Sequence, residues 1–226
     1  MYILLIVGIL LDLLFIHAEY DADYRRASIF KGLSSLMFVL LGFLFLHNAV
    51  TPLYGTLVVT GLVLGMLGDI FLELRLLFTG KKSDGIFAVG ILAFLSGHFL
   101  YMAALLARDP GALLPGAGLA LAVCLFTIPV SLKKIEAPGK GLQIFGAVYL
   151  VIVTTMFAMA AAVFVRSPGS SLNLMFAAGG LLFMFSDYLL IYFTFGKKKL
   201  PEYCRAVTLL SYYAAQLLIA FSLLGR

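Results

Sequence analysis

The chain has 226 residues, 63% of them hydrophobic and only 12% charged, against roughly 25% charged in an ordinary soluble domain. That balance excludes a water-soluble globule. Sixteen Lys and Arg against eleven Asp and Glu give a formal charge of +5, a surplus that is tested first as membrane topology, so no nucleic-acid partner is expected.

A bilayer core about 30 Å thick takes about 20 apolar residues per helix. Apolar runs predict helices at 2–17, 29–48, 53–77, 86–107, 112–132, 142–165, 172–195 and 205–224. These eight spans read as a single integral membrane domain over 1–226, an all-α polytopic bundle with no space left for a soluble domain. The first run has no basic leader, contains Asp12 and lacks a small-residue cleavage site, so it reads as a span and not a secretory signal. Short loops with charge and turn residues separate the spans: 19–26, 80–85, 133–140 and 196–201. Cys124 and Cys204 have no metal or redox spacing.

Lys and Arg divide sharply between the two sides. Arg108, Arg166 and Arg226 belong to one side; the other thirteen lie in or beside loops 1–2, 3–4, 5–6 and 7–8. By the positive-inside rule those four loops face the cytoplasm and both termini lie outside. A bacterial inner membrane is the expected location. Recruitment of anionic lipid headgroups is a second use of the same basic residues.

The chain carries a weak repeat. Leu67-Gly-Asp69-Ile-Phe-Leu in span 3 and Phe185-Ser-Asp187-Tyr-Leu-Leu in span 7 lie 118 residues apart, and the same offset carries His98 in span 4 onto Gln216 in span 8. The halves therefore read as parallel four-helix repeats, with chance similarity of apolar helices as the alternative.

An ionisable residue inside a span costs about 2.5–3.5 kcal/mol on insertion scales, so each one invites a functional reading. Asp69 precedes Lys81 by twelve residues and Asp187 precedes Lys197 by ten, which sets both acids about 15–18 Å above the basic edge at 1.5 Å per residue. His98 and Gln216 reach a similar level. With Ser96, Ser186, Tyr101, Tyr188 and Tyr212 nearby in sequence, they predict a polar cavity open to the cytoplasmic side; interhelical hydrogen bonding is the plainer alternative. Lys31, near the start of span 2, reads either as a snorkelling side chain or as a phosphate contact. Glu73 shares a face with Asp69 at i, i+4, and Asp12 reads as a boundary pair with His17. His17, His47 and His98 lie too far apart along their spans to share one ion, which disfavours a His-rich metal amidase; an Asp-only magnesium site is the alternative and has no diagnostic spacing, so no metal or other cofactor is expected. No Gly-x-Ser-x-Gly elbow is present.

Gly68-Asp69-Ile-Phe-Leu, Gly97-His98-Phe-Leu-Tyr101, Phe185-Ser186-Asp187-Tyr-Leu-Leu190 and Tyr212-Tyr213-Ala-Ala-Gln216-Leu-Leu together resemble the YhhN family of eight-span membrane proteins, whose characterised members are lysoplasmalogenases. One departure is local: the family often has Lys-Pro where span 2 begins, and this chain has Lys31-Gly32. The resemblance implies hydrolysis of the vinyl ether of a lysophospholipid to a fatty aldehyde and a glycerophospho-alcohol. On that reading Asp69 and Asp187 are the catalytic pair. One protonated and one ionised carboxyl divide the work, as in an inverting glycosidase. His98, Gln216, Tyr101, Ser186 and Tyr212 orient substrate or water, and Lys31 with Arg25 or Arg26 holds the phosphate. Beyond substrate and membrane lipid the resemblance names no partner, and the sequence is silent on oligomeric state. A non-enzymatic binder or proton-coupled carrier is the alternative class.

Overall fold

The computed structural model describes residues 1–136 and 140–225. The side chain of Lys140 and Arg226, both used in the topology count, lie outside the described residues, as do Ala137–Gly139 of the fifth loop. Among the described residues eight helices follow one another: α1 (Tyr2–Tyr20), α2 (Tyr24–Phe45), α3 (Pro52–Leu74), α4 (Gly80–Arg108), α5 (Leu113–Lys134), α6 (Lys140–Arg166), α7 (Ser171–Phe195) and α8 (Tyr203–Phe221). Each is long and apolar enough to cross a membrane, and the chain is an integral multi-pass protein.

Local chemistry fixes several starts. Asp23 accepts from Arg26 N at 3.1 Å to cap α2. Thr51 accepts from Tyr54 N ahead of Pro52 in α3, and Ser170 accepts from Asn173 N to cap α7. Such caps satisfy amide groups that no helical carbonyl can reach. Two boundaries differ from the sequence reading. α2 begins at Tyr24 and α4 at Gly80, five and six residues earlier than the apolar runs at 29 and 86. Hydropathy marks where a helix enters lipid, whereas backbone hydrogen bonding continues into the polar border. α2 also runs unbroken through Gly32.

The chain forms two compact units, Met1–Ala104 with Leu223–Arg226, and Leu105–Ser222. Each repeats the same internal packing at the 118-residue offset. In the first unit, a Cβ on Gly61 of α3 would overlap the Tyr101 ring of α4, and one on Gly97 would come within 3.2 Å of the Gly61 carbonyl. In the second, a Cβ on Gly179 of α7 would meet the Ala215 carbonyl at 2.9 Å and Ile219 Cγ1 at 3.0 Å on α8. Gly179, Ala215 and Ile219 are the offset images of Gly61, Gly97 and Tyr101. Small residues let two backbones approach closely where lipid supplies no hydrophobic drive. A second contact repeats with its sizes exchanged. Gly42 receives Leu62 between α2 and α3, and their images Ala160 and Gly180 meet between α6 and α7.

In the second unit the ends of α5 and α7 are tied by backbone. Ile135 and Gly196 form an antiparallel bridge. Glu136 N donates to the Phe195 carbonyl at 2.6 Å and Lys197 N to the Lys134 carbonyl at 2.9 Å. Loops 5–6 and 7–8 therefore emerge at one end of that unit, as their shared basic character predicts.

Candidate active site

In the first unit the polar interior is built by three helices. Asp69 and Glu73 lie one turn apart on α3, and Lys31 and Ser35 lie one turn apart on α2, so the two pairs face each other. Ser35 Oγ donates to Asp69 Oδ2 at 2.6 Å. Lys31 Nζ stands 3.8 Å from Asp69 Oδ1 and 3.7 Å from Glu73 Oε2. From α1 the Phe15 ring covers the ammonium, its centroid 4.9 Å away, and Asp12 is buried within electrostatic reach of Lys31 and Asp69. Only 6% of the Lys31 surface is exposed. The side chain does not snorkel; its ammonium is neutralised inside the unit by carboxylates, which removes the drive to reach water.

The expected Asp12–His17 pair is not formed. Residues five apart on a helix sit about 140° around the axis at 3.6 residues per turn, so Asp12 faces inward while His17 pairs with Asp21 at 3.5 Å. His98 of α4 is buried and lies edge-on to Tyr101, with centroids 6.4 Å apart. Tyr101 is buried against Gly61. Ser96, grouped with them by sequence, is exposed, because it faces away from the α3 contact made by Phe94, Gly97 and Tyr101.

In the second unit Asp187 of α7 is buried, and its Oδ2 accepts from the Tyr149 hydroxyl of α6 at 2.7 Å. Tyr149 is the offset image of Lys31, just as Asp187 is the image of Asp69. The same two positions thus meet in both units, once as ammonium and carboxylate and once as phenol and carboxyl. Sequence reading missed Tyr149; carrying the offset from Lys31 would have found it. Ser186 Oγ donates to the Thr208 carbonyl at 2.9 Å, which joins α7 to α8. On α8 Gln216 Nε2 donates to the Tyr212 hydroxyl at 3.1 Å, and the Tyr212 ring packs edge-on to Phe183 and Tyr213. Tyr188 turns the other way, toward Thr127 at 2.7 Å and Thr154 at 3.1 Å, because adjacent helical residues diverge by about 100°.

Each unit therefore holds a buried carboxyl oriented by a donor from the helix before it, with further polar groups on the helix after it. Among the described residues no three His, Cys, Asp or Glu side chains gather as a metal-ion site. The arrangement suits proton transfer and hydrogen bonding within a membrane. Among the described residues, eight helices long and apolar enough to span a membrane, with a buried acid in each unit, define a multi-pass membrane protein. The YhhN family model matches residues 27–223, and the chain belongs to the YhhN family. No curated protein and no solved structure matches it.

Proposed function

We propose that this protein is a lysoplasmalogenase-like hydrolase that cleaves the vinyl ether of a lysophospholipid, with Asp69 and Asp187 as its acid and base. The observation that carries the reading is the pairing of each buried Asp, at matched positions of the repeat, with a donor on the preceding helix. Membership of the YhhN family supports it.

The chemistry needs two carboxyls in different charge states. One gives its proton to the β-carbon of the vinyl ether and leaves an oxocarbenium ion. The other accepts a proton from water as the water oxygen bonds to the oxygen-bearing carbon. The resulting hemiacetal loses the glycerol oxygen as an alcohol and becomes a fatty aldehyde. Proton exchange through water then restores both carboxyls to their starting states, so the net change is addition of one water. Proton transfer from a positioned side chain typically contributes about 10²–10⁴-fold.

His98, Tyr101, Gln216, Tyr212 and Ser186 serve as substrate-orienting groups in this reading. Lys31 acts on Asp69 as its counter-charge, and the phosphate is received at the start of α2 by exposed Arg25, beside Arg26, whose guanidinium pairs with Asp23 at 3.2 Å. The basic loops face the cytoplasm and both termini lie outside, in a bacterial inner membrane, because thirteen of the sixteen basic residues fall on one side.

The test is release of fatty aldehyde from a lysoplasmalogen by the purified protein in detergent micelles, with the saturated ether analogue as control. Aldehyde from the vinyl ether alone is expected. Its absence with folded wild-type protein would overturn the enzymatic reading and favour a carrier.

A further inference from the structure

The second unit carries a feature with no part in the proposed chemistry. On α6, Ile144, Val148, Val151 and Ile152 share one face, and with Leu132 of α5 they line an apolar groove of about 520 Å³. From Gln143 to Ile152 the groove follows α6 for roughly 13 Å at 1.5 Å per residue. It is open to the surroundings, since Ile144 is 65% exposed, Val148 47% and Val151 40%.

The groove ends beside fixed positive charge. Leu132 is followed directly by Lys133 and Lys134, and the Lys134 carbonyl accepts from Lys197 N. That pairing brings Lys197, Lys198 and Lys199 to the end of α5, and all five lysines are exposed. At Gly196, where α7 ends and the two segments pair, a Cβ would overlap the Tyr192 carbonyl, so glycine fits the turn. The amide of Gln143 adds a neutral polar group at the same end of the groove. An apolar channel for a chain, ending in a backbone-clamped lysine cluster, has the polarity of a phospholipid with a negatively charged headgroup.

We propose that this groove is a binding site for an anionic membrane phospholipid, with an acyl chain along α6 and the headgroup phosphate against Lys133, Lys134 and Lys197–Lys199. A general enrichment of anionic lipid around every basic loop is the competing explanation. The two differ in whether selectivity is confined to the groove.

The chain has no tryptophan, so Val148→Trp supplies a single fluorescent reporter in the groove. Leu77→Trp supplies a second at an exposed position beside Phe78, whose ring lies against Lys82 in another basic loop. Each purified protein is placed in phosphatidylcholine vesicles, and brominated phosphatidylglycerol or brominated phosphatidylcholine is titrated in as quencher. At the groove reporter the anionic lipid should bind at least about 5-fold more tightly, the factor that a single lysine near an anionic surface supplies. The preference should be absent at the Leu77 reporter, lost on changing all five lysines to Gln, and weakened in about 1 M salt, where the screening length is about 3 Å. The salt arm decides the matter if the five-fold variant does not fold. Equal quenching by the two lipids at the groove reporter, or equal selectivity at the Leu77 reporter, would overturn the proposal.

Discussion

Replacing Lys31 with Met keeps most of the side-chain volume and removes one buried positive charge. Its ammonium stands 3.8 Å from Asp69 and 3.7 Å from Glu73, and at an effective dielectric of about 20 each attraction is worth about 4 kcal/mol before desolvation. Desolvation offsets much of that gain. Removing one partner of a buried pair, however, leaves the opposing charge inside and costs about 3–5 kcal/mol. The offset-related contact in the second unit is weaker. Tyr149→Phe removes one hydrogen bond to Asp187 while the ring remains, a loss of about 1.5–3 kcal/mol. Lys31→Met should therefore destabilise the protein more than Tyr149→Phe, measured by reversible unfolding in mixed detergent micelles followed by circular dichroism. Adding Glu73→Gln to Lys31→Met should restore part of the loss, because the second change removes one of the two carboxylates that the ammonium had neutralised. A coupling of about 0.5–3 kcal/mol is expected for neighbours of this kind. Strict additivity, or a Lys31→Met variant as stable as wild type, would refute the ionic account of the first unit.

Asp69→Asn and Asp187→Asn should each lower aldehyde release by about 10²–10⁴-fold at saturating lysoplasmalogen, with circular dichroism spectra like wild type; near-normal turnover in either would remove that residue from the mechanism. Gly179→Val should destabilise by about 1–3 kcal/mol through overpacking against Ala215 and Ile219, whereas Gly146→Ala, which meets nothing within 4 Å, should not. With Cys124 and Cys204 replaced, a cysteine at Gly169 should react with an impermeant maleimide on intact cells and one at Lys198 should not; the reverse pattern would invert the topology. At the border of the spans, the Arg166 guanidinium 2.6 Å from Asp109 holds that carboxyl below its usual range. Its stabilisation is present above the unfolded pKa of about 3.9 and fades as pH falls through the lower folded value. Asp109→Asn should flatten that part of the stability–pH curve.

The spans are legible in the sequence because they depend on a single one-dimensional quantity, apolar length. The Lys31–Asp69–Glu73 contact is half visible, since i, i+4 spacing aligns Asp69 with Glu73 but nothing in the chain shows which helix faces them. Direction around a helix is set by packing. Asp12, Ser96 and Tyr188 depart from their expected places for that reason, each being grouped with residues close in sequence that point elsewhere. The repeat supplies the missing dimension. An offset that joins Asp69 to Asp187 must also join the residues packed against them, and carrying Lys31 forward lands on Tyr149. The match is hard to see because the positions are shared while the side chains are not, lysine having one chemistry and tyrosine another. That difference is what the proposed two-carboxyl hydrolysis would require. Identical half-sites would give the two acids identical surroundings, whereas an ammonium beside one and a phenol beside the other allow the same carboxyl group to do two different jobs.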